Sequence, residues 1–245
     1  MLKKEIITRY IEHERRVGSI KMKRELDACG IKAGKNRIAS IMCENGLRAK
    51  THRKFRVVTT DSNHNLPIAE NLLNRNFTVP EPNKVLVSDI TYVKTNEGWA
   101  YLTVFIDLFS RIVAGWALSS RCDTEMVLTA LRRAIRNRNL QSGVMIHSDR
   151  GCQYASEAFR EELKKHGFIQ SMSRKGNCWD NAVAESFFRI YKTELVYDET
   201  FTNRQHVLSS TFKYIEHYYN RKRLHGSIGY LSPVDFENQF KKKVA

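Results

Sequence analysis

The sequence predicts an α/β fold: a mixed five-stranded sheet with helices on both faces, preceded by a small all-α domain. Three observations predict it. Short runs rich in Val, Ile, Phe and Tyr recur five times between residues 84 and 172, which is typical of strands. The first three runs follow one another closely, whereas the last two alternate with helical patterns, and this combination indicates a mixed sheet covered by helices. The first 45 residues carry apolar residues at helical spacing instead.

The N-terminal segment is predicted to form three short helices. Apolar spacing predicts the first over residues 2–16, the second with Ser19 as its cap, and the third over about 35–45. Two helices joined by a short glycine-containing turn, with Lys35 and Arg37 at the start of the third helix, form a helix-turn-helix-like pattern that suits nucleic acid. A small helical bundle with no such role stays open, because the motif has no unique residue signature.

The rest of the chain divides into a connector, a sheet domain and a helical end. Three of the four prolines lie in a turn-rich connector over residues 51–83. Strands are expected at about 85–94, 101–107, 111–118, 144–147 and 168–172, and helices at about 124–137, 156–165 and from Ala182 onward. The predicted domains are a helix-turn-helix-like domain at 1–54, a linker at 55–83, a core at 84–198 and a helical extension at 199–245.

The charge of the chain points to a polyanionic partner. The 245 residues carry a net charge of +15, and residues 1–60 hold 16 Lys and Arg against 6 Asp and Glu. Nucleic acid is the commonest partner for such a balance, because each neutralised phosphate releases counterions. A merely soluble basic protein, or one that binds anionic lipid, is the alternative.

Cysteine usage and hydropathy indicate a cytoplasmic protein. The five cysteines are scattered without a Cys-x-x-Cys pair, which suits free thiols in a reducing compartment. The eight histidines show no zinc-finger spacing. We find neither an apolar run long enough for a membrane span nor a signal peptide.

Three carboxylates are the candidate catalytic and metal-binding residues. Asp89 and Asp149 each lie at or beside a predicted buried strand, and Glu185 lies in a predicted amphipathic helix whose polar face also carries Arg189 and Lys192. If the first and fourth strands are neighbours, both aspartates meet, and the helix must point the glutamate at them. Hard oxygen ligands of this kind hold Mg²⁺, and two ions about 3.5–4 Å apart assist phosphodiester hydrolysis or transfer.

For each of these three residues a non-catalytic role stays open, because any single carboxylate is usually a solvated surface group. Asp107, at the end of another predicted strand, is the best competing candidate; it could instead cap the turn that follows it. Arg221 and Arg223 come directly after two tyrosines and an asparagine. This mixture of aromatic and cationic residues suits contact with a DNA backbone.

Five strings carry a family resemblance: VSDITYV, YLTVFIDLFSRIVAGW, HSDRGCQYAS, SRKGNCWDNAVAESFF and YYNRKRLHGSIGYLSP. They closely resemble the downstream-frame protein (OrfB) of the insertion-sequence-three family of bacterial transposases, strongly over residues 66–236 and weakly before them. The resemblance implies a ribonuclease-H-like, retroviral-integrase-type fold and a D-D-E triad at Asp89, Asp149 and Glu185. The 35 residues between the last two are the spacing that the family shows. It also implies that Lys192 contacts element-end DNA.

The resemblance further implies the chemistry and the partners. Family members cut one strand at each element end and join the freed 3′-hydroxyl to another strand, using Mg²⁺, with Mn²⁺ as a substitute and two ions per site. Expected partners are double-stranded DNA of element ends and target, the upstream-frame helix-turn-helix protein (OrfA), and further copies of the chain in a synaptic complex. A nucleoid-associated cytoplasmic location follows.

Three departures from the family pattern stand beside this. Leu86 replaces a usual Trp, Cys152 replaces a common Ser, and the Tyr-Gly-x-Arg-Arg run is missing from the first domain. Two rival functions stay open, namely a non-catalytic element-end DNA-binding or regulatory protein and a ribonuclease-H-type nuclease.

Overall fold

The computed structural model describes residues 1–50 and 65–244. The first part of the predicted linker therefore lies outside the described residues. The N-terminal segment contains α1 (Leu2–Glu12), α2 (Ser19–Ala28) and α3 (Lys35–Glu44). The central segment contains β1 (Val85–Thr95), β2 (Gly98–Asp107), β3 (Val113–Ser119), α4 (Thr124–Arg138), β4 (Met145–Ser148), α5 (Cys152–Ala155), α6 (Glu157–Lys165), β5 (Ile169–Met172), a 3-10 turn (Cys178–Asn181) and α7 (Ala182–Glu194).

The remaining elements pack behind the sheet. They are a 3-10 turn (Val196–Asp198), α8 (Arg204–Phe212), a π-helical continuation of α8 (Lys213–Tyr219), a second 3-10 turn (Gly226–Ile228) and α9 (Pro233–Val244). None of the helices in the described ranges is long and apolar enough to cross a membrane.

The five strands form one mixed sheet in the order β3-β2-β1-β4-β5. The pairs β1–β2 and β2–β3 are antiparallel, whereas β1–β4 and β4–β5 are parallel. The predicted mixed sheet of five strands is confirmed, and the first and fourth strands, whose adjacency the sequence left as a condition, are neighbours. In the parallel register Val87 pairs with His147, so the next residue on the same side of each strand is Asp89 on one and Asp149 on the other.

Each face of the sheet buries its own core, so helices cover both faces as predicted. Val87, Val104 and Ile106 pack with α7 and the C-terminal helices on one face. Leu86 and Phe105 pack with α4 and α6 on the other. Because successive strand residues point to opposite faces, the side that carries Val87 also carries Asp89, and it is the side on which α7 lies.

The N-terminal helices form a third, separate core around Ile6, Met22 and Ile38. Here the helix limits differ from the prediction. The first helix ends at Glu12 instead of residue 16, because Glu14 and Arg15 adopt the left-handed backbone conformation. Ser19 begins α2 rather than capping it.

Side-chain caps explain where two helices of the core begin. Asp123 accepts a hydrogen bond from the Met126 N–H at the start of α4, and Ser156 accepts one from the Phe159 N–H at the start of α6. Each cap satisfies one of the N–H groups that a helix leaves unpaired in its first turn. These helices hold β3, β4 and β5 in place, and with them the strand end that carries Asp149.

Candidate active site

Asp89, in the middle of β1, lies beside Asp149, which directly follows the end of the neighbouring strand β4. The Ile90 N–H donates to Asp89 Oδ1 at 2.8 Å, and the Gly151 N–H donates to Asp149 Oδ1 at 2.9 Å. Both residues keep partial solvent exposure. The parallel register therefore brings together two acidic residues that are 59 positions apart in the chain.

Burial raises the pKa of the Asp89 carboxyl well above its usual range, and the neighbouring carboxylates of Asp149 and Glu185 raise this pKa further. The Ile90 N–H and the Lys192 ammonium act in the opposite direction. Like charges disfavour ionisation of each other. A pocket that holds these groups as anions therefore gains stability from any cation placed among them.

Glu185 lies in the first turn of α7, and its side chain is exposed. Its pKa is nevertheless raised by partial burial, and its charge acts on Asp89. The helix is anchored by Ala184, Phe187 and Tyr191, which are buried against the sheet. Glu185 thus projects from the edge of an apolar stripe, as the sequence pattern predicts.

Lys192 and Arg189 extend the polar face of α7 beyond Glu185. Lys192 Nζ lies 5.1 Å from the centroid of the Tyr92 ring. Burial lowers the pKa of Lys192, while the Asp89 carboxylate opposes that shift. Arg189 is exposed. Both cations therefore lie on the helix that carries Glu185, where a phosphate close to the carboxylates would contact them.

The carboxylates fit a divalent cation by their chemistry. All three are hard oxygen donors, the type that Mg²⁺ prefers, and burial, followed by repulsion from Asp149 and Glu185, raises the pKa of Asp89. Within residues 1–50 and 65–244, however, no three His, Cys, Asp or Glu side chains converge closely enough to chelate an ion as they stand. Two aspartates are adjacent, and the exposed Glu185 has to turn inward to join them.

A buried polar layer lies beneath the two aspartates. The Tyr154 hydroxyl is hydrogen-bonded to Ser88 Oγ at 2.8 Å, and burial, then Asp149 and Asp89, raise the Tyr154 pKa well above its usual range. His147 lies between Ser171 and Ser173, with ring nitrogens 2.8 and 3.2 Å from their hydroxyls. Burial lowers the His147 pKa to about 4, against a smaller opposite effect of Asp180. His147 is therefore a neutral, hydrogen-bonded core residue.

The sequence prediction missed a fourth acidic residue near this site. Asp180 is fully buried and binds Arg174, Arg75 and Asn71. Hydrogen bonds from Arg174 hold the pKa of Asp180 well below its usual range, against the effect of burial. Asp180 lies in the 3-10 turn just before α7, and an acidic residue ahead of a helix N-terminus, where negative charge is favourable, was the available local signal.

Asp107, the competing candidate, has a structural role. Its carboxylate accepts hydrogen bonds from the backbone N–H groups of Asn83, Phe109 and Ser110. It therefore closes the turn after β2, which is the cap role that the sequence left open. It is not part of the Asp89–Asp149 pair.

The other predicted DNA contacts fall into two groups. Lys35, Arg37 and Arg221 are exposed, which is compatible with the prediction. Arg223 is not: it is buried, and it forms an ion pair with Glu194 at 2.9 Å. The expectation of a DNA contact at Arg223 is corrected here, because a guanidinium that already binds a buried carboxylate cannot reach a DNA backbone.

A groove of about 380 Å³ lies elsewhere, between the N-terminal helices and the C-terminal segment. Glu25 and Arg24 line one side, and Arg221 and Asp235 line the other. None of the three candidate catalytic carboxylates lines it. The groove is therefore separate from the Asp89–Asp149 pair.

Comparison with family models gives three matches. The model described as Integrase core domain matches residues 79–178, a second model with the same description matches residues 185–240, and the HTH-like domain model matches residues 1–55. The first match spans Asp89 and Asp149, and the second begins at Glu185.

Several curated proteins are similar over most of the chain. Transposase InsF for insertion sequence IS3A of Escherichia coli (strain K12) is 41% identical, over 96% of this chain and 81% of that protein. The uncharacterized 31 kDa protein of insertion element IS600 of Shigella sonnei is 41% identical, over 100% and 89%. Transposase InsF for insertion sequence IS3fB, also of Escherichia coli (strain K12), is 46% identical, over 82% and 69%.

Two solved structures share the fold at low sequence identity. The simian T-cell lymphotropic virus intasome in complex with PP2A regulatory subunit B56 gamma matches with a TM-score of 0.53 and 16% identity, over 95% of this chain and 73% of that one. The HTLV-2 integrase catalytic core domain in complex with magnesium (trimeric form) matches with a TM-score of 0.50 and 17% identity, over 64% and 97%. The sheet and its helices thus have the architecture of an integrase catalytic core.

Proposed function

The chain belongs to the IS3 family of transposases, and from this premise we propose that it cuts one DNA strand at each end of an insertion element and joins the freed 3′-hydroxyl to target DNA. The observation that carries this proposal is the position of Asp149, directly after β4, beside Asp89 on the parallel neighbouring strand β1, with the charges of Asp149 and Glu185 both acting on Asp89. These are polynucleotidyl-transfer reactions at phosphorus.

The three carboxylates are proposed to hold the divalent cations that integrase-core enzymes use. When bound, two Mg²⁺ ions, for which Mn²⁺ can substitute, neutralise charge on the attacking and leaving oxygens. Asp89 would supply oxygen ligands from β1, Asp149 from the residue after β4, and Glu185 from α7. Asp89 and Asp149 repel each other, and a cation between them would offset that repulsion. A third carboxylate strengthens the binding of the cation, so cation binding and closure of Glu185 should stabilise one another.

Lys192 and Arg189 are proposed to hold the phosphate that is cut. Both lie on the helix that carries Glu185, Arg189 about one turn and Lys192 about two turns further along. A cation beside the scissile phosphate fixes its position without taking part in bond formation. Lys35 and Arg37, at the exposed start of α3, are proposed to bind DNA at a distance from the chemistry, as is Arg221.

The division of labour follows the predicted domains. We assign DNA binding to residues 1–54, a linker to 55–83, the catalytic core to 84–198, and a supporting helical extension to 199–245. The substrate has two ends, so we expect several copies of the chain to meet on it, together with the upstream-frame protein OrfA. Such a reaction takes place where chromosomal DNA is, in the bacterial cytoplasm at the nucleoid.

The test is a cleavage and joining assay with the DNA that flanks the gene. The wild-type protein, alone and with OrfA, should nick the end-bearing duplex in Mg²⁺ and join the product to a second duplex. Asp149→Asn should lose both steps and keep DNA binding. Glu97→Gln, which changes an exposed carboxylate at the tip of the β1–β2 hairpin, is the matched control and should behave as wild type.

Two results would contradict the proposal. Asp149→Asn retaining full nicking would remove the assigned site, and DNA binding without any Mg²⁺-dependent nicking, even with OrfA, would favour a regulatory protein. An RNA–DNA hybrid is included as a substrate, because preferential cutting of its RNA strand would favour a ribonuclease-H-type nuclease.

A further inference from the structure

The loop before α7 is fixed by one buried carboxylate. Asp180 is fully buried and accepts two hydrogen bonds from the Arg174 guanidinium, at 2.8 and 2.7 Å, and a third from the Arg174 backbone N–H at 3.0 Å. The two residues lie at opposite ends of the loop that separates β5 from α7. Asp180 therefore ties the exit of the strand to the entry of the helix.

The same carboxylate also holds the segment that precedes β1. Arg75 Nε donates to Asp180 Oδ1 at 2.8 Å, and Asn71 Nδ2 donates to Asp180 Oδ2 at 2.9 Å. That segment is attached to β5 as well, because the Leu72 and Leu73 N–H groups donate to Ser171 Oγ. Asp180 thus joins three parts of the chain that are remote in sequence.

The residue after Asp180 connects this cluster to the strand of Asp89. Asn181 is buried, and its side-chain amide donates to the Ser88 carbonyl oxygen at 2.9 Å. Within residues 1–50 and 65–244, its side-chain oxygen has no hydrogen-bond partner. Ser88 immediately precedes Asp89, so the start of α7 is held directly against the backbone of the catalytic strand.

These contacts hold the start of α7, the helix whose first turn carries Glu185. Glu185 is four residues after Asn181, and a helix rises about 1.5 Å per residue, so the carboxylate lies about one turn from the anchor. The direction of the first turn decides whether an exposed side chain on it faces the two aspartates or the solvent. Loss of the Asp180 and Asn181 contacts would change the direction of this first turn before it disturbed the sheet.

We propose that Asp180 is a positioning residue of the active site: through Arg174, Arg75 and the adjacent Asn181 it fixes the first turn of α7, so that Glu185 can close on Asp89 and Asp149 when a divalent cation binds. This inference rests on the proposed function of those three carboxylates. It assigns Asp180 no contact with DNA or cation. It predicts that loss of the anchor weakens cation binding beyond any effect on folding.

The chain offers a matched control at the other end of the same helix. Glu194, the last residue of α7, is also buried and binds a guanidinium, that of Arg223. If Asp180 only stabilises the fold, neutralising either carboxylate should have the same consequences. If Asp180 positions Glu185, only its neutralisation should change cation affinity, because Glu194 lies more than two turns away from Glu185.

The experiment measures Mn²⁺ binding to the full chain without DNA, by electron paramagnetic resonance of the free ion. Each variant is titrated at a temperature where circular dichroism shows it folded. Asp180→Asn should raise the Mn²⁺ dissociation constant at least fivefold, and Glu194→Gln should leave it within twofold of wild type. Arg75→Gln is the milder variant, since its side chain is 45% exposed; it should give a smaller increase, which Arg75→Lys should partly reverse.

Separate results would overturn each level of the argument. Equal Mn²⁺ affinity in Asp180→Asn and wild type, or equal weakening in Glu194→Gln, would reduce Asp180 to a structural residue and leave the proposed function intact. Mn²⁺ binding that Asp149→Asn does not weaken would instead remove the proposed metal site, and the positioning role with it. If Asp180→Asn fails to fold, an unchanged affinity in Arg75→Gln overturns the proposal by itself.

Discussion

Arg223 Nη2 lies 2.9 Å from Glu194 Oε1, and both side chains are only 8% exposed. The Tyr214 hydroxyl donates a further hydrogen bond to the same carboxylate, at 2.8 Å. This buried ion pair joins the last turn of the helix that carries Glu185 to the segment that follows the π-helical stretch. It therefore holds the C-terminal extension against the catalytic sheet.

The first prediction compares Arg223 with its neighbour Arg221. Arg223→Met should lower the free energy of unfolding by about 3–5 kcal/mol, because removing one partner of a buried pair leaves an uncompensated charge. Arg221→Gln should leave stability within about 0.5 kcal/mol, since this side chain is exposed. If Arg221 contacts DNA, the Arg221→Gln substitution should reduce the slope of log K for DNA binding against log salt concentration by about 1. Urea unfolding and DNA titrations at several salt concentrations measure both; equal stability losses would contradict the assignment.

The Arg221 and Arg223 pair shows what the sequence could and could not predict. Both residues stand in one basic run, and nothing in the spacing distinguishes them. The difference arises because the chain folds Glu194, 29 positions away, against one of them. The number and order of the strands were predictable, since β-branched runs and turn residues are local signals. A partner so distant in sequence gives no local signal.

The candidate catalytic carboxylates could be chosen from the sequence for the same local reason, whereas the residues around them could not. Asp89 and Asp149 stand beside recognisable strands, and the parallel pairing that joins them follows from the order of strands and helices. Asp180 gave only the weak signal of an acidic residue before a helix. Its partners Asn71 and Arg75 lie in a segment without periodicity. Their convergence on Asp180 depends on tertiary packing alone.

A second prediction concerns the stability of the metal-free protein. Asp89→Asn should raise the free energy of unfolding in a chelator by about 1 kcal/mol, because it removes a buried negative charge that Asp149 repels. The amide oxygen can still accept the Ile90 N–H. The same variant should abolish the rise in melting temperature that Mn²⁺ gives the wild type. A lower stability of Asp89→Asn in the chelator would contradict this account, and Glu97→Gln serves as the control.

The third prediction tests how closely α4 packs on β3. A Cβ atom at Gly115 would lie 2.5 Å from the Ala134 backbone nitrogen and 2.8 Å from the Ala134 side chain. Gly115→Ala should therefore lower the free energy of unfolding by about 2 kcal/mol or more, because α4 has to move away from the sheet. Gly34→Ala is the matched control, since a Cβ there meets nothing within 4 Å and the backbone φ is −68°. Thermal unfolding of both variants measures the difference, and equal melting temperatures would contradict the packing.

The fourth prediction is a pH dependence that originates where the N-terminal helices meet the core. Burial lowers the pKa of Lys21 from 10.5 to about 8, Arg223 lowers it further, and Glu194 opposes the shift. His225 faces the same cluster, and its pKa is lowered by burial, by Arg223 and by Lys21. A buried ammonium beside a guanidinium is unfavourable, so Lys21→Met should raise the free energy of unfolding at pH 7 by about 1–2 kcal/mol.

The sign of the pH effect follows from proton binding in the two states. Below about pH 8 Lys21 is protonated both folded and unfolded, so the wild type carries the whole penalty. Between about pH 8 and 10.5 the unfolded chain binds more protons than the folded one, and stability rises with pH. The advantage of Lys21→Met should therefore shrink across that window and vanish above it. Urea unfolding of both proteins from pH 7 to 10.5 measures it, with Lys23→Met as the control, since Lys23 is partly exposed on the same helix and pairs only with Asp27 at i+4 among the described residues. A gap between wild type and Lys21→Met that stays constant with pH would show that Lys21 is charged in the folded protein throughout.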